Sequence, residues 1–210
     1  MLPPLFLSTM IALIVLTILS YLLGSIPAGF LVGSSGGVDV RSAGSGNIGA
    51  TNVARTLGWK KGVVTLFADV TKGFVPVLAA HLLDLGDAAA VAAGLAAFTG
   101  HLYPVFLGFK GGKGVATAAG VYLAAMPLGF LVVLGVFLLV IVFSRRVSPA
   151  SIAGGLVSPI AAWAFTYPVE IIWLSLVVGI LIVFRHRENI RRLIAKEEPR
   201  FALRRSGLGE

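Results

Sequence analysis

Residues 5–32 read LFLSTMIALIVLTILSYLLGSIPAGFLV, an apolar run without one Lys, Arg, Asp or Glu. About 20 predominantly apolar residues are needed to cross a bilayer as a helix, so this run is long enough to span. It is too long for the apolar part of a signal peptide, and no basic residue precedes it, so it is expected to stay as a helix. Further apolar runs follow from Gly62 to Leu83 and from Ala88 to Gly108. Four less clean ones cover Val115 to Met126, Leu128 to Phe143, Ser151 to Tyr167 and Val169 to Phe184. They are broken by Met126-Pro127, by the Arg145 to Pro149 segment and by Tyr167-Pro168.

The composition agrees. A chain of 210 residues that is 57% hydrophobic and 12% charged, with a mean hydropathy of +0.96, cannot be dissolved around one soluble core. The expected fold is all-α, a polytopic membrane bundle of about seven transmembrane helices. Residues 1–201 form one membrane-integral domain, and residues 202–210 a disordered cytoplasmic tail. Without cysteine there is no disulfide framework, no thiol nucleophile and no thiolate metal site. The 17 Lys and Arg against 9 Asp and Glu fall into short loops and a tail, not one continuous stripe, which argues against nucleic acid.

Seven crossings place Arg41, Arg55, Lys60, Lys61, Lys110, Lys113, Arg145, Arg146 and the tail from Arg185 to Arg205 on one side. Asp84, Asp87 and Glu170 fall on the other. The cationic side is then cytoplasmic, the N-terminus outside and the C-terminus inside. The one cation within a span is Lys72, three residues after Asp69, so the two can pair on one helix face. Such a pair either braces the bundle or serves a substrate.

Two glycine-rich cationic segments, GSGNIGATN from Gly44 and FKGGKGVAT from Phe109, interrupt the apolar pattern. Glycines let backbone N–H groups turn toward an anion, and Arg55, Lys110 and Lys113 supply charge beside them. The first matches the dinucleotide pattern G-x-G-x-x-G by letter, with Asp69 where a ribose-binding acid would stand. No strand–helix unit surrounds it, so the match is a decoy. Its Ser45, Gly46, Asn47, Thr51 and Asn52 remain candidates for holding an anion at the start of a helix near Thr51-Asn52. The second segment is one residue short of a nucleotide P-loop and has Gly114 where a magnesium-binding hydroxyl would be needed. It leaves His101, Lys110, Gly111, Gly112 and Lys113 around a tight turn. A third cluster, Arg185-His186-Arg187-Glu188-Asn189-Ile190-Arg191-Arg192, caps the last run. His186 and Asn189, spaced i, i+3, face one way if that helix continues. Ser148 and Ser151 flank Pro149 as N-cap candidates. Read one by one, these are flexible loops, positive-inside lysines and a stop-transfer tail. Together they outline phosphate chemistry at a bilayer surface.

Gly24-Ser25-Ile26-Pro27, Asp39-Val40-Arg41 with GSGNIGATN, Asp69 with Thr71-Lys72-Gly73, His101-Leu-Tyr-Pro-Val-Phe with FKGGKGVAT, and Arg185-His-Arg-Glu-Asn-Ile resemble, in this order, the bacterial acyl-phosphate:glycerol-3-phosphate acyltransferases. The resemblance implies a seven-helix inner-membrane enzyme with its active site on the cytoplasmic side. It would move a fatty acyl group from acyl phosphate to glycerol 3-phosphate, giving lysophosphatidic acid and phosphate, the first acylation of phospholipid synthesis. It implies no metal and no cofactor. Ser45, Arg55, Lys113, Ser151 and Asn189 would bind the two phosphate-bearing substrates, with Arg187 near them and His101, Lys113 and His186 as the catalytic set. Membrane lipid and an enzyme that forms acyl phosphate would be its partners. The chain departs from the family where Ala195-Lys196-Glu197 stands in place of a frequent glycine.

The chemistry fits that inventory. Acyl phosphate is a mixed anhydride with a good leaving group, so a substrate hydroxyl can attack directly and no enzyme nucleophile is required. His101, His186 or a substrate phosphate oxygen can take the proton. The alternative is a transporter or binding protein for a phosphorylated metabolite, with Lys72 at the midplane. No internal repeat supports it, and the cations lie on one side. A soluble-type acyltransferase is disfavoured because no His is followed five residues later by Asp.

Overall fold

Proline lacks the N–H that continues the ladder, and helix breaks fall at Pro27, Pro127 and Pro168, while Pro76 and Pro159 are accommodated inside helices. The computed structural model describes residues 4–200, and the 202–210 tail of the sequence reading lies outside the described residues. The first run splits at Ile26-Pro27 into α1 (Pro4–Ser25) and α2 (Ala28–Ser35). After a loop come α3 (Ala50–Leu57) and α4 (Trp59–Leu82), then α5 (Asp87–Leu102), which leads into a 3₁₀ turn at Val105–Leu107. α6 (Val115–Ala125) and α7 (Pro127–Ser144) meet at Met126-Pro127. α8 (Val147–Ala164), α9 (Val169–Arg185) and α10 (Arg187–Ile194) complete the chain. No strand occurs among the described residues.

Every expected apolar run is helical, the first as two helices, but their lengths differ. Among the described residues, five helical segments are long and apolar enough to cross a membrane, and a sixth is obtained if α9 and α10, bent by 55°, count as one. α6 has 11 residues, about 16 Å of rise against a hydrocarbon core of roughly 30 Å. α8 begins four residues ahead of the expected Ser151, so Ser148 and Ser151 lie inside its first turns and cap nothing. The Ser151 hydroxyl instead donates back to the Val147 carbonyl at 2.9 Å.

Lipid tails are as apolar as Leu, so the helices gain little by hiding apolar surface from one another. Close backbone contact has to hold them instead. Glycine makes it possible on three pairs. A methyl group on Gly24 of α1 would lie 2.1 Å from the Ala97 carbonyl oxygen of α5, and one on Gly73 of α4 would lie 2.1 Å from the Thr117 carbonyl oxygen of α6. On α9, a methyl on Gly179 would lie 2.3 Å from the Gly155 carbonyl oxygen of α8. Between these seams Phe98, Leu102, Val121, Met126, Leu174 and Val178 form the buried centre. Phe67, Val142, Phe143 and Trp163 point outward.

At the break between α1 and α2 the Ile26 carbonyl accepts the Ala28 amide at 3.1 Å and, as a second donor, the Nζ of Lys72 at 2.9 Å. Lys72 Nζ also pairs with Asp69 Oδ1 at 2.9 Å, and both of these side chains are buried. Removing one member of such a buried pair strands the other charge, which costs about 3–5 kcal/mol. Lys72→Met is therefore expected to lower the thermal unfolding midpoint in detergent by roughly 6–12 °C. Asp69→Asn combined with Lys72→Met should recover part of that loss, since no charge is then left unpaired.

Candidate active site

One cavity of about 690 Å³ runs between α4, α6, α7 and α8. Leu66, Val70, Ala119, Phe130, Val133 and Phe137 make its walls apolar, and one end opens among polar and cationic groups. Ser45, Asn47, Thr51, Asn52 and Arg55 reach it from the loop before α3 and from α3 itself. Asp69 of α4, His101 of α5 and Lys113 line it as well, followed by Ser148 and Ser151 of α8 and His186, Asn189, Arg192 and Glu198 of the last segment. A small recess of about 170 Å³ adjoins it, lined by Gly46, Gly111, Arg185, Arg187 and Glu188 together with Ser45, Asn47, Lys113 and Arg192. Lys113 thus stands between the two spaces.

The three clusters expected from sequence do converge, with exceptions. Lys110 is exposed and lines neither space, and Gly112 is buried behind His101. Lys72 faces the Ile26 carbonyl, not the cavity. The expected i, i+3 face does not form as one helix, because α9 ends at Arg185 and α10 starts at Arg187. His186 and Asn189 meet at the cavity across that bend.

Several glycine-segment amides are engaged within the chain, while those of Ala50 and Thr51 at the start of α3, beside the cavity, have no partner among the described residues. In the second segment, the Gly111 and Gly112 amides bond back to the Leu102 and His101 carbonyls at 3.2 and 3.1 Å, so the loop doubles over the end of α5. A methyl on Gly112 would come within 2.2 Å of His101 Nε2, so glycine there permits the close approach. Arg185 clamps the same loop, its guanidinium donating to the Gly111 and Gly112 carbonyls at 2.8 Å. In the first segment Asn52 spends its whole amide on the loop. Its Nδ2 donates to the Val40 and Ala43 carbonyls at 2.9 and 3.0 Å, and its Oδ1 accepts the Ser45 amide at 2.8 Å. Asn52 therefore positions Ser45.

Side-chain charge is also available to an anion. Arg55 makes no hydrogen bond or ion pair among the described residues, and Lys113 bonds only the Asn189 side-chain oxygen. Burial, followed by the charge of Arg192, pulls the Lys113 ammonium down to about 8. His186 Nδ1 lies 2.8 Å from the Ile182 carbonyl, which can only accept, so the neutral ring carries its proton there and leaves Nε2 bare. His101 Nδ1 sits 3.6 Å from Asp69 Oδ1 in the cavity floor.

Ser148, Arg185, Arg192 and Glu198 add to the expected set. The first three carried a signal in sequence, as a polar position beside Pro149 and as part of the arginine cluster. Glu198 carried none, since only the reversal of the chain after α10 brings it back. Asn189 donates to the Ser148 hydroxyl at 2.9 Å and to Glu198 Oε1 at 2.7 Å, and Arg192 Nε donates to Glu198 Oε2 at 2.8 Å.

A helical bundle with several membrane-length apolar helices and an apolar cavity that ends in a cationic mouth belongs to the class of integral-membrane proteins. The family model for glycerol-3-phosphate acyltransferase matches residues 14–196. A glycerol-3-phosphate acyltransferase of Geobacter sulfurreducens is 47% identical over 188 residues, covering 90% of this chain and 97% of that one. One of Aquifex aeolicus is 48% identical over 191 residues, covering 89% and 97%. The crystal structure of PlsY, an integral membrane glycerol 3-phosphate acyltransferase, in its glycerol 3-phosphate form is similar with a TM-score of 0.88 at 46% identity, over 91% of this chain and 96% of that one. Its lysophosphatidic acid form gives a TM-score of 0.85 at 45% identity, with the same coverage. The chain belongs to the glycerol-3-phosphate acyltransferase family.

Because the depressed Lys113 loses its charge as pH rises through about 8, anion binding at the mouth should weaken above that pH. Titration calorimetry with inorganic phosphate between pH 7 and 9 is expected to show up to about a tenfold loss, and Lys113→Arg, which stays charged, should remove it.

Proposed function

We propose that this enzyme transfers a fatty acyl group from acyl phosphate to glycerol 3-phosphate, releasing lysophosphatidic acid and inorganic phosphate. The observation that carries the reading is the continuity of an apolar cavity with a cationic mouth that adjoins a second polar recess at Lys113. A fatty chain fits the first, and two phosphate-bearing groups need two anion positions that share a cation. The relatives that support it are the glycerol 3-phosphate and lysophosphatidic acid forms of PlsY.

In this reading the acyl chain lies along Leu66, Val70, Phe130, Val133 and Phe137, with its carbonyl near Lys113. Arg55, Lys113 and Ser45 hold phosphate oxygens, with Asn47, Thr51, Ser151, Asn189 and Arg187 around them. Neutralising two phosphates lets them lie side by side, which supplies proximity for the attack. The glycerol hydroxyl attacks the acyl carbon, and the carbon–oxygen bond to phosphate breaks. Lys113 stabilises the departing phosphate. The hydroxyl proton passes to the bare Nε2 of His186 or to a phosphate oxygen of the substrate, with His101 as the third acceptor near the floor. With the short α6 and the α9–α10 pair each counted as a crossing, the protein passes the bacterial inner membrane seven times, N-terminus outside, with this mouth on the cytoplasmic side where the cationic loops gather. Acyl phosphate hydrolyses readily, so an enzyme that forms it must supply the donor nearby.

Purified protein in detergent, given palmitoyl phosphate and glycerol 3-phosphate without added metal, should release phosphate and form lysophosphatidic acid only when both are present. Palmitoyl-CoA should not replace the donor. Lys113→Ala and Ser45→Ala are expected to lower turnover at least 100-fold, about 2.7 kcal/mol of transition-state stabilisation, while the protein stays folded and monodisperse. Near-normal rates in both variants would overturn these assignments.

A further inference from the structure

The cationic mouth already contains an anion, and it belongs to the chain itself. α10 ends at Ile194, and the chain reverses through Lys196, whose φ of 60° lies in the left-handed region that favours glycine. The amides of Glu197 and Glu198 both bond to the Arg192 carbonyl, at 2.8 and 3.2 Å. The reversal turns Glu198 inward until only 6% of it is exposed. Its Oε1 accepts from the Ser148 hydroxyl and from Asn189 Nδ2, and its Oε2 from Arg192 Nε. Arg146 Nε holds the Glu198 carbonyl oxygen at 2.9 Å. The hydrogen bonds from Ser148, Asn189 and Arg192 outweigh burial and keep this carboxyl below the usual carboxylate range, so it is charged.

Counting donors shows what this contact excludes. The Asn189 amide has two protons, one on the Ser148 hydroxyl at 2.9 Å and one on Glu198 Oε1 at 2.7 Å, while its oxygen is taken by Lys113. With Glu198 seated, Asn189 has no proton for a substrate and the Arg192 Nε–H is spent. A phosphate entering the same mouth also meets a fixed negative charge. Yet the set that grips this carboxylate, a hydroxyl, an amide and a guanidinium N–H, is the set that grips a phosphate oxygen.

We propose that Glu198 is an internal anion that occupies a phosphate-oxygen position of the empty site and is exchanged for a phosphate of the incoming substrate. The exchange rests on the phosphate-binding reading of the mouth given above. In the empty enzyme the carboxylate keeps Ser148, Asn189 and Arg192 in register and cancels cationic charge in a partly buried place. On entry of phosphate the segment 195–199 moves out and the donors pass to the ligand. The arrangement taxes binding, since the apparent affinity is reduced by the fraction of time the position is free.

The test is titration of the purified full-length protein in detergent with inorganic phosphate, comparing wild type with Glu198→Ala and Glu198→Gln. Removing the competing charge should tighten phosphate binding about tenfold in Glu198→Ala, the factor gained when a position filled nine-tenths of the time is emptied, and by less in Glu198→Gln. The isosteric Gln variant keeps the comparison valid should the Ala variant fold poorly. Since the chain has no cysteine, Arg200→Cys carries a single fluorophore whose anisotropy should fall when phosphate is added. Phosphate binding by wild type with equal or weaker binding by both variants overturns the exchange and leaves Glu198 as a brace. If neither wild type nor any variant binds phosphate, and Lys113→Ala changes nothing, the reading of the mouth itself fails and the exchange with it.

Discussion

A single buried ammonium sets the frame on which the site is hung. Lys72 answers two demands at once, a partner for the Asp69 carboxylate and a second donor, beside the Ala28 amide, for the Ile26 carbonyl. It thereby ties α4 to the break at Ile26-Pro27, across which α1 and α2 continue as one membrane-length segment, Ser8–Ser35, that leads into the loop of residues 36–49. His101 Nδ1 faces the same Asp69 Oδ1 that pairs with Lys72, so the carboxylate of the ion pair also lines the cavity while Lys72 itself does not. The Ile26 contact gives Lys72 a bracing role, and Asp69 links that brace to the site.

The second constraint is that helices without an apolar driving force must touch through their backbones. Gly24, Gly73 and Gly179 allow three pairs to close, and the long side chains are left to face outward or fill the centre. α4 and α6 meet this way and α8 and α9 likewise, while α7 packs from outside against α8 and α6, with Gly129 as its one buried residue. The apolar cavity is the gap that this uneven packing leaves between α4, α6, α7 and α8. Its shape follows from where the glycines are.

The bundle was legible in sequence because apolar length is a direct measure of what a bilayer requires. Boundaries were less so. α6 falls short of a span because a run judged by composition says nothing of where a loop ends, and α8 starts early because Pro149 sits in its first turn, where proline is tolerated. For the site, residue types and their order along the chain sufficed to gather most members. They could not distinguish Lys110 from Lys113, each beside Gly-Gly, since only the doubling of residues 111–112 onto the end of α5 turns one inward and leaves the other exposed. The same doubling takes the Gly111 and Gly112 amides, which become donors for the Leu102 and His101 carbonyls at the end of α5.

The full charges at the mouth are carried by side chains, and this shapes its electrostatics. A backbone cradle presents partial charges that cannot be switched, whereas Lys113, Arg55 and Arg192 carry full charges that burial makes expensive when no anion is present. The structure meets that expense in two ways. Lys113 gives up part of its proton affinity, and Glu198 lies against Ser148, Asn189 and Arg192 as a counter-charge. Both responses reverse when a phosphate arrives, because an incoming dianion restores the lysine's preference for its charged form and takes over the donors of the carboxylate. Affinity for phosphate is therefore lower than the count of cations suggests. A moderate hold is what a site needs when the proposed reaction ends with two anions, phosphate and a lysophospholipid, that must both leave.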